Sequence, residues 1–166
     1  MAVRMELKRI LIRELSEYQL IELREVRLVA EDASGEESPG KAAAEGDVTD
    51  VNAGYSQVEG GRSFPIVIGL PEAAAIERRL KGITVKRPQT HDLLESVIKA
   101  LGGKLEAICV NDLTDHTFYA QLHIRDANGK LLKIDARPSD AVALGIGGNV
   151  PILVEEHVLD GAQNEQ

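Results

Sequence analysis

Two stretches of the chain carry the side chains best suited to chemistry. Arg87-Pro88-Gln89-Thr90-His91-Asp92-Leu93-Leu94 and Ile134-Asp135-Ala136-Arg137-Pro138-Ser139-Asp140-Ala141 each join an Arg-Pro dipeptide to a hydroxyl residue and an aspartate. A histidine can move a proton, an arginine can neutralise an anion, and carboxylates can hold a divalent cation. The candidate inventory is His91, Asp92, Asp112, Asp115, His116, Asp135, Arg137 and Asp140. Both stretches fall where helices should begin. Proline suits a first turn because its missing N–H has no partner there, and Thr90 or Ser139 can cap. Asp92 and Asp140 complement the positive end of a helix dipole. The two stretches are therefore either paired structural caps or one shared site.

Each candidate also has a plain structural reading. Asp92 and Asp140 can serve only their helices, with Arg137 tying the two helix starts together. Asn111-Asp112-Leu113-Thr114-Asp115-His116 reads as a strand-to-strand turn, where Asp and Asn are ordinary. His123 falls on the polar side of a strand. Asp135 ends a strand directly before a helix, a frequent position for functional residues. Arg78, Arg79, Lys81, Lys86 and Arg87 place five bases in ten residues with no acid among them. Such a cluster can hold phosphates or can be a solvated helix end. The chain contains no His-Glu-x-x-His, no phosphate-cradling loop with Lys and no Gly-x-Ser-x-Gly.

The elements that position these residues follow from hydrophobic periodicity. Met5 to Leu15, Gln19 to Leu28 and Ser63 to Gly69 read as strands. Pro71 to Lys81 reads as a helix stopped by Gly82, and Thr90 to Leu101 as a second helix. The stripe Leu93, Leu94, Val97, Ile98 and Leu101 of that second helix is expected to be buried. Strands follow at Lys104 to Asp112 and Thr117 to Arg125, then an Asn128-Gly129 hairpin turn and a strand from Leu131 to Ala136. A mostly apolar helix from Pro138 to Ile146 and a short strand at Pro151 to Val154 complete the series. Hairpins with helices interspersed predict a single α+β domain, with a mixed, largely antiparallel sheet and about three helices.

Composition narrows the function classes. At 166 residues the chain is long enough for one domain with a real core. Aromatics make up only 3%, with no Trp, which argues against single-strand binding by base stacking. Cys109, the single cysteine, sits in an apolar run and reads as a buried, inert thiol. Met1 to Arg13 has no continuous apolar run like that of a signal peptide, and no stretch reaches a membrane span, so a cytoplasmic location is expected. The net charge of −8 is uneven. Residues 30–60 hold eight acids against one base, Lys41, with five Gly and no Leu, Ile or Phe. That segment is expected to be a flexible acidic insertion at a hairpin tip.

Six ordered blocks resemble one known family: Phe64-Pro65-Ile66-Val67-Ile68-Gly69, Glu72-Ala73, Lys81-Gly82, the Arg87–Leu94 stretch, Asp135 to Ala141, and Pro151-Ile152-x-Val154. In order and spacing they resemble the bifunctional nuclease domain family over roughly residues 1–160, leaving 161–166 as a polar tail. Two features depart from the family pattern: the 30–60 insertion, and Gly145-Ile146-Gly147-Gly148 in place of an Ala/Leu-rich helix end. The resemblance implies an α+β fold, hydrolysis of phosphodiester bonds in DNA and RNA, and a homodimer. It assigns no catalytic residue. Combined with the residues, it leaves His91, Asp92, Asp135, Arg137 and Asp140 as catalytic candidates. Asp112, Asp135 and Asp140 are candidate ligands for Mg2+ or Mn2+, and the five-base cluster is the candidate nucleic-acid contact. The rival reading is a non-catalytic module on the same fold that binds a small ligand or a partner protein. The acidic composition and the scarcity of aromatics favour the rival; the family resemblance favours the nuclease.

Overall fold

The computed structural model describes residues 1–13, 15–28 and 54–164. Strand β2 (Gln19–Leu28) pairs antiparallel with β1 (Ala2–Leu11) on one side. On its other side it takes β4 (Ser63–Ile68) along its first half and β3 (Tyr55–Gln57) along its second. Alternation makes these strands: Ile21 and Leu23 of β2, and Phe64, Ile66 and Ile68 of β4, all point to the core. Pro65 is tolerated because β4 lies at the sheet's edge.

The sheet continues through β8 (Ile152–Glu155), β5 (Lys104–Thr114), β6 (Thr117–Arg125) and β7 (Leu131–Ala136). Strand β8 runs antiparallel to β1 and parallel to β5, so the sheet is mixed but largely antiparallel. The Phe64 and Phe118 rings stack with centroids 5.3 Å apart, so the sheet curls until β4 approaches the start of β6.

Four helices complete the α+β fold: α1 (Leu70–Leu80), α2 (Thr90–Ala100), α3 (Pro138–Gly148) and α4 (Glu156–Asn164). Helix α3 is apolar on nearly every side and lies at the centre, with Ala141, Val142, Ala143 and Leu144 almost fully buried. Two glycines let neighbours approach it. A Cβ at Gly145 would sit 3.4 Å from Ile108, and one at Gly147 would sit 1.4 Å from Arg79 Nη1. The Gly-rich helix end thus makes room for a specific arginine. None of the helices among the described residues is long and apolar enough to cross a membrane.

The structure departs from the sequence expectations in three places. Helix α4 buries Val158, Leu159 and Ala162, so residues 161–164 belong to a packed helix and not to a tail. Residues 55–57 of the acidic segment form β3 against Val26, Arg27 and Leu28, and Arg4 lies over the Tyr55 ring. The expectation for residues 30–53 lies outside the described residues. The Asn128-Gly129 turn is where the sequence put it, between β6 and β7: Gly129 has positive φ, and Asp126 closes the turn by accepting from the Asn128 and Lys130 N–H groups. The largest departure is α2. None of its residues is buried; Leu93, Leu94, Val97 and Leu101 just after it are all exposed, and Ile98 alone of the expected stripe is half-buried. This helix packs through His91, Asp92, Glu95 and Ile98, and turns its apolar stripe outward.

Candidate functional site at three helix starts

Helices α1, α2 and α3 begin beside one open cavity of about 710 Å3, whose lining includes Pro71, Glu72, Pro88, Thr90, His91, Arg137 and Asp140. Proline sets two of these starts. Pro71 and Pro138 occupy the first turns of α1 and α3, where the fixed φ and the missing N–H cost nothing. The N-cap residues are Gly69, Gln89 and Arg137. Thr90 and Ser139 are therefore first-turn residues and not caps. Three helix N-termini around one hollow favour an anion there.

The side chains form a chain of contacts across these starts. His91 Nε2 lies 2.8 Å from Asp140 Oδ1. Arg137 Nε donates to Asp140 Oδ2 at 2.9 Å, and Arg137 Nη2 donates to Glu72 Oε1 at 2.8 Å. The two carboxylates hold the Arg137 guanidinium, Asp140 first and then Glu72, and raise its pKa further. Arg137 is 67% exposed, so its remaining N–H groups face solvent. With the Asp140 carboxylate as acceptor, Nε2–H is the donor of this contact, and Nδ1 is the ring nitrogen left for other partners. A carboxylate that orients a histidine, beside an exposed arginine, is an arrangement suited to proton transfer next to an anion.

Asp92 belongs elsewhere. Its carboxylate accepts from Arg78 Nη2 and Arg79 Nη2, each at 2.8 Å, and from the Gln89 N–H at 3.0 Å as part of a capping box. Burial pushes the Asp92 carboxyl up, but the bonds from Arg78, Gln89 and Arg79 outweigh it and hold the group below its usual range. Arg79 is only 6% exposed and also donates to Glu95 and to the Ala143 carbonyl. Asp92, Arg78 and Arg79 therefore join α1, α2 and α3 internally. This corrects the expectation that Arg78 and Arg79 face a nucleic acid and that Asp92 faces a substrate. Lys81 pairs with Glu77 one turn earlier. Lys86 and Arg87 are exposed just before Pro88 at the cavity's edge.

The remaining candidates do not join the His91 cluster. Asp135 lies exposed on β7 opposite Gln121. Asp112 caps its own turn at the Leu113 N–H and lies 3.7 Å from His157. Among the described residues no three His, Cys, Asp or Glu side chains gather closely enough to hold a metal ion, so Asp112, Asp135 and Asp140 do not form one ligand set. Asp115 and His116 form a tight hairpin turn, both with positive φ. His116 instead lines a second, mostly apolar hollow with Tyr18, Pro65, Phe118 and Ser139, and Arg137 borders both hollows. Glu72 is the site residue that sequence reasoning missed. Its signal was an acid in the first turn after Pro71, the same pattern that marked Asp92 and Asp140.

A family model described as the bifunctional nuclease domain matches residues 56–166. An uncharacterised protein of Mycobacterium tuberculosis is 48% identical over 103 residues, which is 62% of this chain and 60% of that protein. Bifunctional nuclease 2 of Arabidopsis thaliana is 20% identical over 100 residues, 59% of this chain and 30% of its own length. Bifunctional nuclease 1 of Oryza sativa subsp. indica is 19% identical over 97 residues, 57% of this chain and 29% of its own length. The match thus spans about 60% of the bacterial relative and under a third of the plant ones.

Proposed function

The chain belongs to the bifunctional nuclease domain family, and on that premise we propose that it hydrolyses phosphodiester bonds of DNA or RNA at the His91–Asp140–Arg137 cluster. The observation that carries this reading is the 2.8 Å contact of His91 with Asp140, in a cavity bordered by an exposed, doubly held arginine. In this scheme Asp140 fixes the His91 tautomer and Nδ1 takes a proton from the attacking water. The water oxygen bonds to phosphorus while the bond to the leaving oxygen breaks. The imidazolium then returns the proton to that oxygen. Arg137 and the three helix N-termini stabilise the added charge on the phosphoryl oxygens. Lys86 and Arg87 extend the positive rim along the strand's backbone. We propose a homodimer as the working assembly. The cytoplasm, a reducing compartment, suits the single free thiol.

Metal assistance by Mg2+ or Mn2+, the other route the sequence suggested, has no matching set of three ligands among the described residues. The test is cleavage of a fluorophore-quencher oligonucleotide, single-stranded DNA or RNA, by purified protein with EDTA or with added Mg2+ or Mn2+. Cleavage that survives EDTA, and falls about 10²- to 10³-fold in Arg137→Gln, supports the scheme. Cleavage that needs the cation supports the metal-assisted route instead. No cleavage under any condition contradicts both and leaves the second reading, a non-catalytic ligand-binding module. The apolar hollow beside Tyr18 and Phe118 is the observation that favours it.

A further inference from the structure

We propose that two copies of this chain join through the free edge of β7, in one register, with Ile134 on the two-fold axis. This interface uses the homodimer put forward above and none of the cleavage chemistry, so either can fail without the other. Strand β7 ends the sheet, and β6 is its only strand neighbour among the described residues. Antiparallel pairing alternates residues that bond to the neighbour with residues that point away from it. The Asp126 N–H donates to the Lys130 carbonyl, so 126 and 130 form a bonded pair, and 124–132 and 122–134 follow as bonded pairs in the unbroken register. Lys133 and Asp135 therefore direct their N–H and C=O groups outward, along the open edge.

A second β7, related by a two-fold axis, can bond only where outward residues meet outward residues. Centring the axis on Lys133 sets Lys against Lys, and centring it on Asp135 sets Asp against Asp. Centring it on Ile134 sets Lys133 against Asp135 of the second copy, twice, with four main-chain hydrogen bonds. Neither Lys133 nor Asp135 has an ion-pair or hydrogen-bond partner among the described residues. Charge thus selects one register from the three central ones.

The same register addresses the exposed apolar surface. Ile134 is 45% exposed and shares the core side of the sheet with Leu132, whose neighbour is Ile124. Ile124 in turn meets the half-buried Ile98 of α2 across Gly103. An unpaired sheet edge that exposes Leu131 and Ile134 is a surface that soluble proteins cover. A second copy brings the same edge to it, in reverse order.

Crosslinking and mass measurements test the register directly. Position 134 falls in a non-bonded pair across the axis, where Cα atoms stand about 4.5 Å apart, within disulfide range. Full-length Ile134→Cys is expected to give a reducible dimer band on mild oxidation, with Leu132→Cys and the wild type giving little or none. In sedimentation equilibrium the wild type is expected at twice its 18.0 kDa chain mass. Lys133→Asp is expected to lower the dimer's association constant at least tenfold, and Lys133→Asp with Asp135→Lys to restore it. A wild type that stays at one chain mass at every concentration overturns the proposal. So does a dimer indifferent to the single charge reversal, or crosslinking at position 132 in preference to 134. If Lys133→Asp fails to fold, the crosslinking arm decides alone.

Discussion

Replacing Asp92 by Asn separates the internal ion-pair cluster from the His91 site. The Asp92 carboxylate serves Arg78, which is 14% exposed, and Arg79, which is 6% exposed, as well as the α2 cap. Breaking a buried ion pair by removing one partner costs about 3–5 kcal/mol. Asp92 itself is 24% exposed, Glu95 still reaches Arg79, and an Asn oxygen can still accept from Gln89. The expected cost is therefore about 2–3 kcal/mol, a large share of the roughly 5–15 kcal/mol of a typical domain. For a chain of this size that lowers Tm by about 5–10 °C. Urea unfolding followed by circular dichroism at neutral pH reads the difference. The folded Asp92 pKa is depressed, so its contribution is complete above the unfolded value near 3.8 and fades as pH falls through the folded value. The gap between wild type and Asp92→Asn should then narrow below about pH 4. A gap under about 0.5 kcal/mol at neutral pH, the ordinary scale of surface substitutions, or one that persists unchanged into strong acid, would mean that Asp92 does not hold Arg78 and Arg79 as an internal cluster.

Three further outcomes follow from the packing. Gly147→Ala is expected to lose about 1–3 kcal/mol in the same unfolding assay, because its Cβ displaces the Arg79 guanidinium from its carboxylates. Burial pushes the Glu25 carboxyl up, but Arg62 outweighs this and holds it below its usual range. Acid unfolding of Glu25→Gln should accordingly begin from a lower plateau and show a shallower loss below about pH 4.5 than the wild type. Burial raises the Cys109 thiol to about 11. A thiol reagent at pH 8 should leave it unmodified in the folded protein and label it fully in guanidinium, as a mass spectrum will report.

The sheet was legible because alternation in β2, β4 and β6 names both the strand and its inward face. Helices α1 and α3 were legible from Pro71 and Pro138 at their starts. Helix α2 shows what periodicity leaves out. Leu93, Leu94, Val97 and Leu101 mark an apolar face, but periodicity carries no information on whether this chain or another covers it. The docking face of α2 is polar, built from His91, Asp92 and Glu95, and its partners Arg79 and Asp140 lie 13 and 49 residues away. The site was half legible for the same reason. Two similar helix starts suggested a meeting of His91, Arg137 and Asp140, which the structure brings together. Nothing local told Asp92, spent on internal arginines, from Asp140, which holds the histidine. Helix α4 escaped because its buried residues, Val158, Leu159 and Ala162, are too few to stand out beside the polar residues around them.

His91 as general base is tested most directly by the single-turnover cleavage rate of His91→Ala against wild type, on one oligonucleotide, with melting temperatures measured in parallel. Loss of a positioned general base costs about 10²- to 10⁴-fold. A drop in that range is expected while the variant melts within a few degrees of the wild type. A correctly folded His91→Ala that cleaves at the wild-type rate would contradict it and move the chemistry to another part of the surface.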